Sequence, residues 1–178
     1  MEKEVKFKKY HFREYNKDYP KQFQQEKIKL IRILGKSVNI KHVGSTAVPK
    51  LGGKGIIDIA ILVKKEEFKR VFELLKKQRY EYCPYRGENK RLFLQRYYPN
   101  KINPKKIIHI HLTFDSKGEF NSLIAFRDYL LKHPEEAKKY ADIKKKASLN
   151  CKGVKERYWK IKGEILNSIL KKSLKSLK

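Results

Sequence analysis

The spacing of apolar and polar residues changes several times along the chain, and each change marks an element. Phe23, Leu30, Ile31 and Leu34 recur at helical spacing between Asp18-Tyr19-Pro20 and Gly35, which predicts an amphipathic helix opened by proline and closed by glycine. Val38 to Val43 reads as a short strand. Ile56 to Val63 is a nearly continuous apolar run with many β-branched residues, the pattern of a strand covered on both faces, and Asp58 is the exception inside it. Phe68, Val71, Phe72 and Leu75 follow the i, i+3, i+4, i+7 rule and predict a helix from Lys65 to Arg79. Two or three more strands follow, at Arg79 to Pro84, Arg91 to Tyr98 and Lys106 to Phe114. Gly87-Glu88-Asn89 and Asn100 to Pro104 supply the turns between them.

From Ser116 onward the period becomes helical. Helices are expected from Glu119 to Leu131, Pro134 to Ser148 and Gly153 to Leu177, with breaks at His133-Pro134 and at Asn150 to Gly153. In the last of these, Val154, Tyr158, Ile161, Ile165 and Ile169 form the expected docking stripe. No repeat, low-complexity tract or Ser/Gly-rich linker interrupts the pattern. The expectation is one α+β domain over 1–178: a mixed β-sheet flanked by helices at about 15–115, and a C-terminal helical cap at about 116–178.

Composition adds a surface to this core. Hydrophobic residues at 40% and aromatics at 12% of 178 residues support a packed domain, while charged residues at 36% exceed the usual quarter. Lys and Arg number 45 against 19 acids, a formal net charge of +26 that attracts polyanions. Nucleotides and nucleic acid are therefore natural partners, although a genome-wide lysine bias gives the same excess. Cys83 and Cys151 stand far apart with no metal-ligand spacing, so neither a disulfide framework nor a zinc site is expected. Residues 1–12 lack the apolar stretch of a signal peptide, and no run nears the ~20 apolar residues of a membrane span. A cytoplasmic protein with no membrane partner is expected.

The candidate chemistry lies between the first two strands. Gly44-Ser45 forms a small-residue turn where backbone N–H groups and a hydroxyl can approach a phosphate, and Asp58 on the next strand can hold an accompanying cation. Thr46 follows in the turn, and Lys54 sits in the loop Gly52 to Gly55, where it can neutralise a phosphate. In Ile108 to Asp115, strand alternation sends His109, His111, Thr113 and Asp115 to one face. If that strand lies beside Asp58, two imidazoles and one carboxylate converge, a set suited to a transition metal. The alternative is a hydrogen-bonded histidine pair, with Asp58 neutralised by Arg91 or Arg127. Arg91 shares a strand face with Phe93, Gln95 and Tyr97, which can contact a base or phosphates or can be core.

Gly44-Ser45-Thr46-Ala47-Val48-Pro49, Lys54, Ile56-Ile57-Asp58-Ile59, His109-Ile110-His111, Phe126-Arg127-Asp128-Tyr129-Leu130 and His133-Pro134-Glu135 together resemble the signature of the GrpB family, in order, over about Tyr15 to Trp159. Two departures are Lys50, where the family usually has Gly, and Gly55, where it usually has Pro. The resemblance implies a nucleotidyltransferase-like fold, in which a Gly-Ser turn precedes a strand bearing two carboxylates that share divalent metals. Here the second position is Ala60, and its loss weakens a two-metal arrangement.

The expected site therefore has Asp58, Ser45, His109 and His111 as catalytic residues. Gly44, Ser45, Thr46, Lys54, Arg91 and Arg127 would hold the phosphates, and Asp58, His109 and His111 would bind Mg²⁺, Mn²⁺ or a transition metal. The expected ligand is a nucleoside triphosphate or another phosphate compound, with transfer to an acceptor. The alternatives are a noncatalytic nucleotide- or partner-binding module and a basic nucleic-acid-binding protein.

Overall fold

The computed structural model describes residues 11–86, 90–102, 104–152 and 154–176. Helix α1, Tyr19–Leu34, begins with Pro20 in its first turn and ends where the Gly35 N–H closes on the Ile31 carbonyl at 2.9 Å. Strands β1, Asn39–Val43, and β2, Ile56–Leu62, pair antiparallel around the Gly44–Gly55 connection. Helix α2, Phe68–Lys77, follows a single 3₁₀ turn at Lys65–Glu67. The expected strand at Arg79 to Pro84 shrinks to β3, Glu81–Tyr82, because Arg79 takes a left-handed φ of 64° and Pro84 begins another turn. Strands β4, Arg91–Tyr98, and β5, Lys106–Thr113, complete the sheet.

The strand order is β1-β2-β5-β4-β3, with β2 and β5 parallel and every other pair antiparallel. The mixed sheet with flanking helices is thus present as expected. One face carries Ile57, Ile59, Ile61, Leu94, Ile108, Ile110 and Leu112, all fully buried against α1 and α2. The other face carries the polar exceptions and lies under the C-terminal helices. These are α3, Asn121–Lys132, after a π turn at Ser116–Phe120; α4, Pro134–Asn150; and α5, Lys155–Lys175. Phe120 packs on Val43 and Ala60 of the sheet, while Leu130, Ala137, Tyr140 and Ile169 close on Val48 and Leu51 of the β1–β2 connection. The cap therefore rests on the loop that bears the candidate chemistry.

The turn at Gly87-Glu88-Asn89, the Gly153 and Leu177 ends of the last helix and most of residues 1–12 lie outside the described residues. Among the described residues, no helix is long and apolar enough to cross a membrane.

On the covered face, α1 inserts an acid. Glu26 is 2% exposed and lies on the stripe of Phe23 and Leu30, where it accepts hydrogen bonds from the Tyr80 hydroxyl, from Tyr98 at 2.8 Å and from Lys106 at 3.1 Å. Burial alone raises a carboxyl pKa, but these donors outweigh it and lower that of Glu26. Its role is to pin α1 to the sheet, on the face opposite Asp58.

Candidate active site

Parallel pairing of β2 with β5 sets Asp58 opposite His109 and Ala60 opposite His111. Residues paired across a ladder project from the same face, so the acid and both imidazoles meet there. The His109 Nδ1–H donates to Asp58 Oδ1 at 3.1 Å, and His111 Nε2 stands 3.6 Å from the same oxygen. Phe93, opposite His111 on β4, packs edge-on against both imidazoles at 4.8 and 5.2 Å. Among the described residues, His111 Nδ1 is a buried nitrogen with no hydrogen-bond partner. Burial pushes the Asp58 carboxyl up, but the hydrogen bonds and charge of the two histidines prevail and hold it below the ordinary carboxylate range. Its side chain remains 22% exposed, so solvent reaches it.

The Gly-Ser turn is built against this carboxylate. Gly44 has φ 71° and ψ −168°, a region open only to glycine, and a Cβ there would lie 2.5 Å from Asp58 Oδ2. Glycine thus brings the turn's backbone onto the acid. Thr46 fixes the turn from the side. Its hydroxyl donates to the Ile56 carbonyl at 2.9 Å, so the His42 Nε2–H must donate to it, at 3.0 Å. Burial and the Arg127 charge lower the His42 pKa to about 4, against the opposing pull of Asp58, and the ring stacks on Phe23 at 4.6 Å.

The next loop closes over Ser45. A Cβ on Gly53 would meet Ser45 Oγ at 2.7 Å and Lys144 Nζ at 3.4 Å, so hydroxyl and ammonium flank the same backbone atom. Lys144 comes from α4, is 3% exposed and donates to the Gly52 carbonyl at 2.6 Å. Its Nζ lies 4.5 Å from the Tyr140 ring centroid, and Lys162 Nζ of α5 lies 5.9 Å from the same ring. Lys162 and Lys54 in turn stand 6.0 and 5.9 Å from the Tyr158 ring. Two aromatic rings thereby link three lysine side chains. Burial drives the Lys144 pKa far below the ordinary lysine value, reinforced by Lys162 and Lys54 and opposed by Asp58. For Lys162, burial and Lys54 bring it to about 8, again against Asp58.

The sequence model of the GrpB protein family matches residues 9–172. The chain belongs to the GrpB family. UPF0157 protein YqkA of Bacillus subtilis is 35% identical over 132 residues, covering 74% of this chain and 37% of YqkA. The chain therefore spans little more than a third of that relative. UPF0157 protein BH1888 of Halalkalibacterium halodurans is 28% identical over 165 residues, covering 90% of this chain and 80% of the relative. The crystal structure of conserved protein GrpB from Enterococcus faecalis superposes with a TM-score of 0.79 at 29% identity, covering 94% of this chain and 99% of that one.

In this GrpB-family chain Asp58, His109 and His111 converge, Gly44 packs on the acid, Ser45 lies against Gly53, and Lys54 stands by the Tyr158 ring. Other expected ligands are engaged differently. Thr46 is 2% exposed and its hydroxyl is used within the turn. Arg91 forms an ion pair with Glu119 at 2.7 Å. Arg127 pairs with Asp128 at 2.6 Å and donates to the His42 carbonyl at 2.9 Å, so its guanidinium holds α3 to β1. Among the described residues, the partners found at the Asp58 carboxylate are the His109 and His111 imidazoles. Asp115, on the histidine strand's polar pattern, leaves the site and accepts the Gly118 N–H at 2.9 Å.

The three expected metal ligands meet at Asp58 Oδ1, with His109 Nδ1 at 3.1 Å and His111 Nε2 at 3.6 Å. Among the described residues, no three His, Cys, Asp or Glu side chains are placed to hold a metal ion. Asp58 Oδ1 is occupied by the His109 N–H, Oδ2 lies against Gly44, and Ala60 is sealed under Phe120.

Lys144 and Lys162 escaped the sequence reading. Lys144 lies on the buried α4 stripe of Ala137, Tyr140 and Ala147, and a lysine in such a stripe is the signal that marks it. On α5 the docking stripe runs through Tyr158, Lys162 and Ile169, not through Ile161, which is 37% exposed, or Val154.

Proposed function

We propose that this protein is nucleotidyltransferase-like, binding the phosphates of a nucleoside triphosphate or related compound and transferring a nucleotidyl group to an acceptor hydroxyl. The observation that carries this is the convergence of Gly44, Ser45, Gly53 and three lysines beside a histidine-paired aspartate. Backbone atoms at glycine and ammonium groups are the donors that phosphate oxygens take. Placement and charge neutralisation, rather than covalent chemistry, supply most of the rate in such transfers.

In the transfer step an acceptor oxygen forms a bond to the α-phosphorus as the bond to the bridging oxygen breaks and pyrophosphate leaves. The acceptor proton goes to His111 Nδ1, a buried nitrogen free to accept it when Nε2–H faces Asp58. Asp58 is too acidic to take that proton itself, and its role is to orient and stabilise the imidazolium. A cytoplasmic setting belongs to the same proposal.

The test is a thermal-shift panel of nucleoside triphosphates followed by product analysis with labelled ATP and small hydroxyl compounds. Stabilisation by triphosphates, with turnover lost in His111→Asn and binding kept, supports it. No stabilisation by any phosphate compound refutes it. Ala60 in place of a second acid favours one other reading, a noncatalytic nucleotide-binding module, which turnover of any nucleotide rules out.

A further inference from the structure

A strained lysine sits in the β1–β2 connection. The Leu51 N–H closes on the Val48 carbonyl at 3.2 Å, so Val48 to Leu51 form a four-residue turn with Pro49 and Lys50 at its corners. Lys50 takes the third position with a φ of 65°, left-handed backbone that glycine adopts freely and lysine adopts at a cost. Strain of this kind clusters where a side chain has a use.

Lys50 borders a groove of about 540 Å³, within the size range of small-molecule sites. Val48, Leu130 and Ala137, each at most 6% exposed, form its floor, and Phe12, Leu131 and Ala141 continue the apolar lining. The N-terminal wall is fixed in place: the Arg13 backbone pairs with Gly53 at 2.6 and 2.9 Å, and the Phe12 N–H donates to Ser148 Oγ at 2.9 Å. None of the lining residues belongs to the Asp58 site. The charges around the groove are three lysines, Lys50, Lys138 and Lys145, and two acids, Glu14 and Asp142. Lys145 pairs with Glu14 at 3.1 Å and so bridges the N-terminal wall to α4, while Asp142 lies one helical turn after Lys138. The balance is one uncompensated positive charge, and the connection that carries Lys50, Gly44 to Gly55, contains no acid.

We propose that this groove binds an amphipathic monocarboxylate, a medium-chain fatty acid, with its chain on Val48, Leu130, Ala137 and Ala141 and its carboxylate on Lys50. The ligand matches both halves of the groove. Its apolar chain covers the floor and supplies the affinity, and its single negative charge closes the balance at the rim. A cation of the same length repeats the charge already present, and a phosphate dianion exceeds what the rim leaves open.

The test is isothermal titration of the full chain with decanoate and with decyltrimethylammonium, a probe of the same chain length and opposite charge, both below the concentration at which they form micelles. Decanoate is expected to bind saturably, and octanoate more weakly by about fourfold for each CH₂ lost. A net charge of +26 attracts any anion, so two variants decide where the ligand sits. Ala141→Phe, at a half-buried position on the groove, fills it and is expected to abolish saturable binding, with circular dichroism to show that it folds. Lys50→Gly is expected to weaken binding about tenfold or more, the scale of one charge-assisted hydrogen bond, while its urea midpoint holds or rises because glycine relieves the left-handed φ. A lysine with only a structural role would leave the affinity where it was. Absence of saturable decanoate binding, equal binding of decyltrimethylammonium, or decanoate binding that neither variant changes overturns the proposal. Decyl phosphate binding at least tenfold tighter than decanoate reassigns the groove to a phosphorylated ligand, and a dimer in sedimentation that Ala141→Phe dissociates reassigns it to a second copy of the chain; either result overturns the monocarboxylate.

Discussion

Gly44 and Asp58 are packed so closely that a methyl group on the glycine would overlap the carboxylate, 2.5 Å from Oδ2 and 2.9 Å from the Asp58 Cβ. The turn and the acid are therefore one structural unit. Gly44→Ala is expected to cost about 1–3 kcal/mol from backbone strain alone, with more from the clash. Urea titration measures the loss, and phosphate binding should fall with it. An alanine variant of wild-type stability would show that the turn does not press on Asp58.

His42 gives the fold a dependence on acid. Its folded pKa of about 4 lies below the ordinary 6.5, so between those values the unfolded chain binds a proton that the folded chain refuses. Above pH 6.5 both states are neutral there and the contribution is constant. As pH falls from 6.5 towards 4, stability drops by at most about 1.4 kcal/mol per pH unit from this residue. His42→Gln should flatten that part of the stability profile. Urea midpoints at several values between pH 4 and 7 provide the check.

Anion binding should weaken in mild alkali. Lys162 loses its proton near pH 8 in the free protein, and a bound phosphate raises that value, so binding takes up a proton around and above pH 8. Affinity for ATP is expected to fall by up to about tenfold per pH unit beyond that point. Lys162→Arg keeps its charge and should remove this residue's share of the slope. Titration in two buffers of different ionisation enthalpy counts the proton directly.

Glu26 tests the other side of the sheet. Removing it leaves Lys106, Tyr80 and Tyr98 facing a buried gap, so Glu26→Ala is expected to cost about 3–5 kcal/mol, the usual penalty for breaking a buried charged network. Phosphate affinity of the remaining folded protein should stay the same, since Glu26 and Asp58 lie on opposite faces. Paired urea and binding titrations separate the two effects.

Much of this arrangement is readable from the sequence because strands repeat every two residues. The alternation of His109, His111 and Thr113 fixes their shared face, and the apolar run around Asp58 fixes a strand buried on both sides. What the alternation does not contain is which strands are neighbours, so the carboxylate's imidazole partners became certain only with the β2–β5 register. The helical lysines were harder for another reason. Lys144 opens a run of three lysines that differ in burial but not in type, and Lys162 follows an isoleucine that looks like the better docking residue. A shift of one position on a helix turns a side chain by about 100 degrees, enough to exchange core for solvent. For Arg91 and Arg127 the sequence does not contain the acids they meet, Glu119 and Asp128, because those contacts depend on how α3 and the turn before it sit on the sheet.

The packing over Ala60 constrains substitution there. A mutation to aspartate at that position would press a new charge against the Phe120 ring and the Val43 side chain, which are packed on Ala60. An acid there would need Phe120 to move aside, so the seating of the cap and the chemistry of the sheet face are set by the same contact.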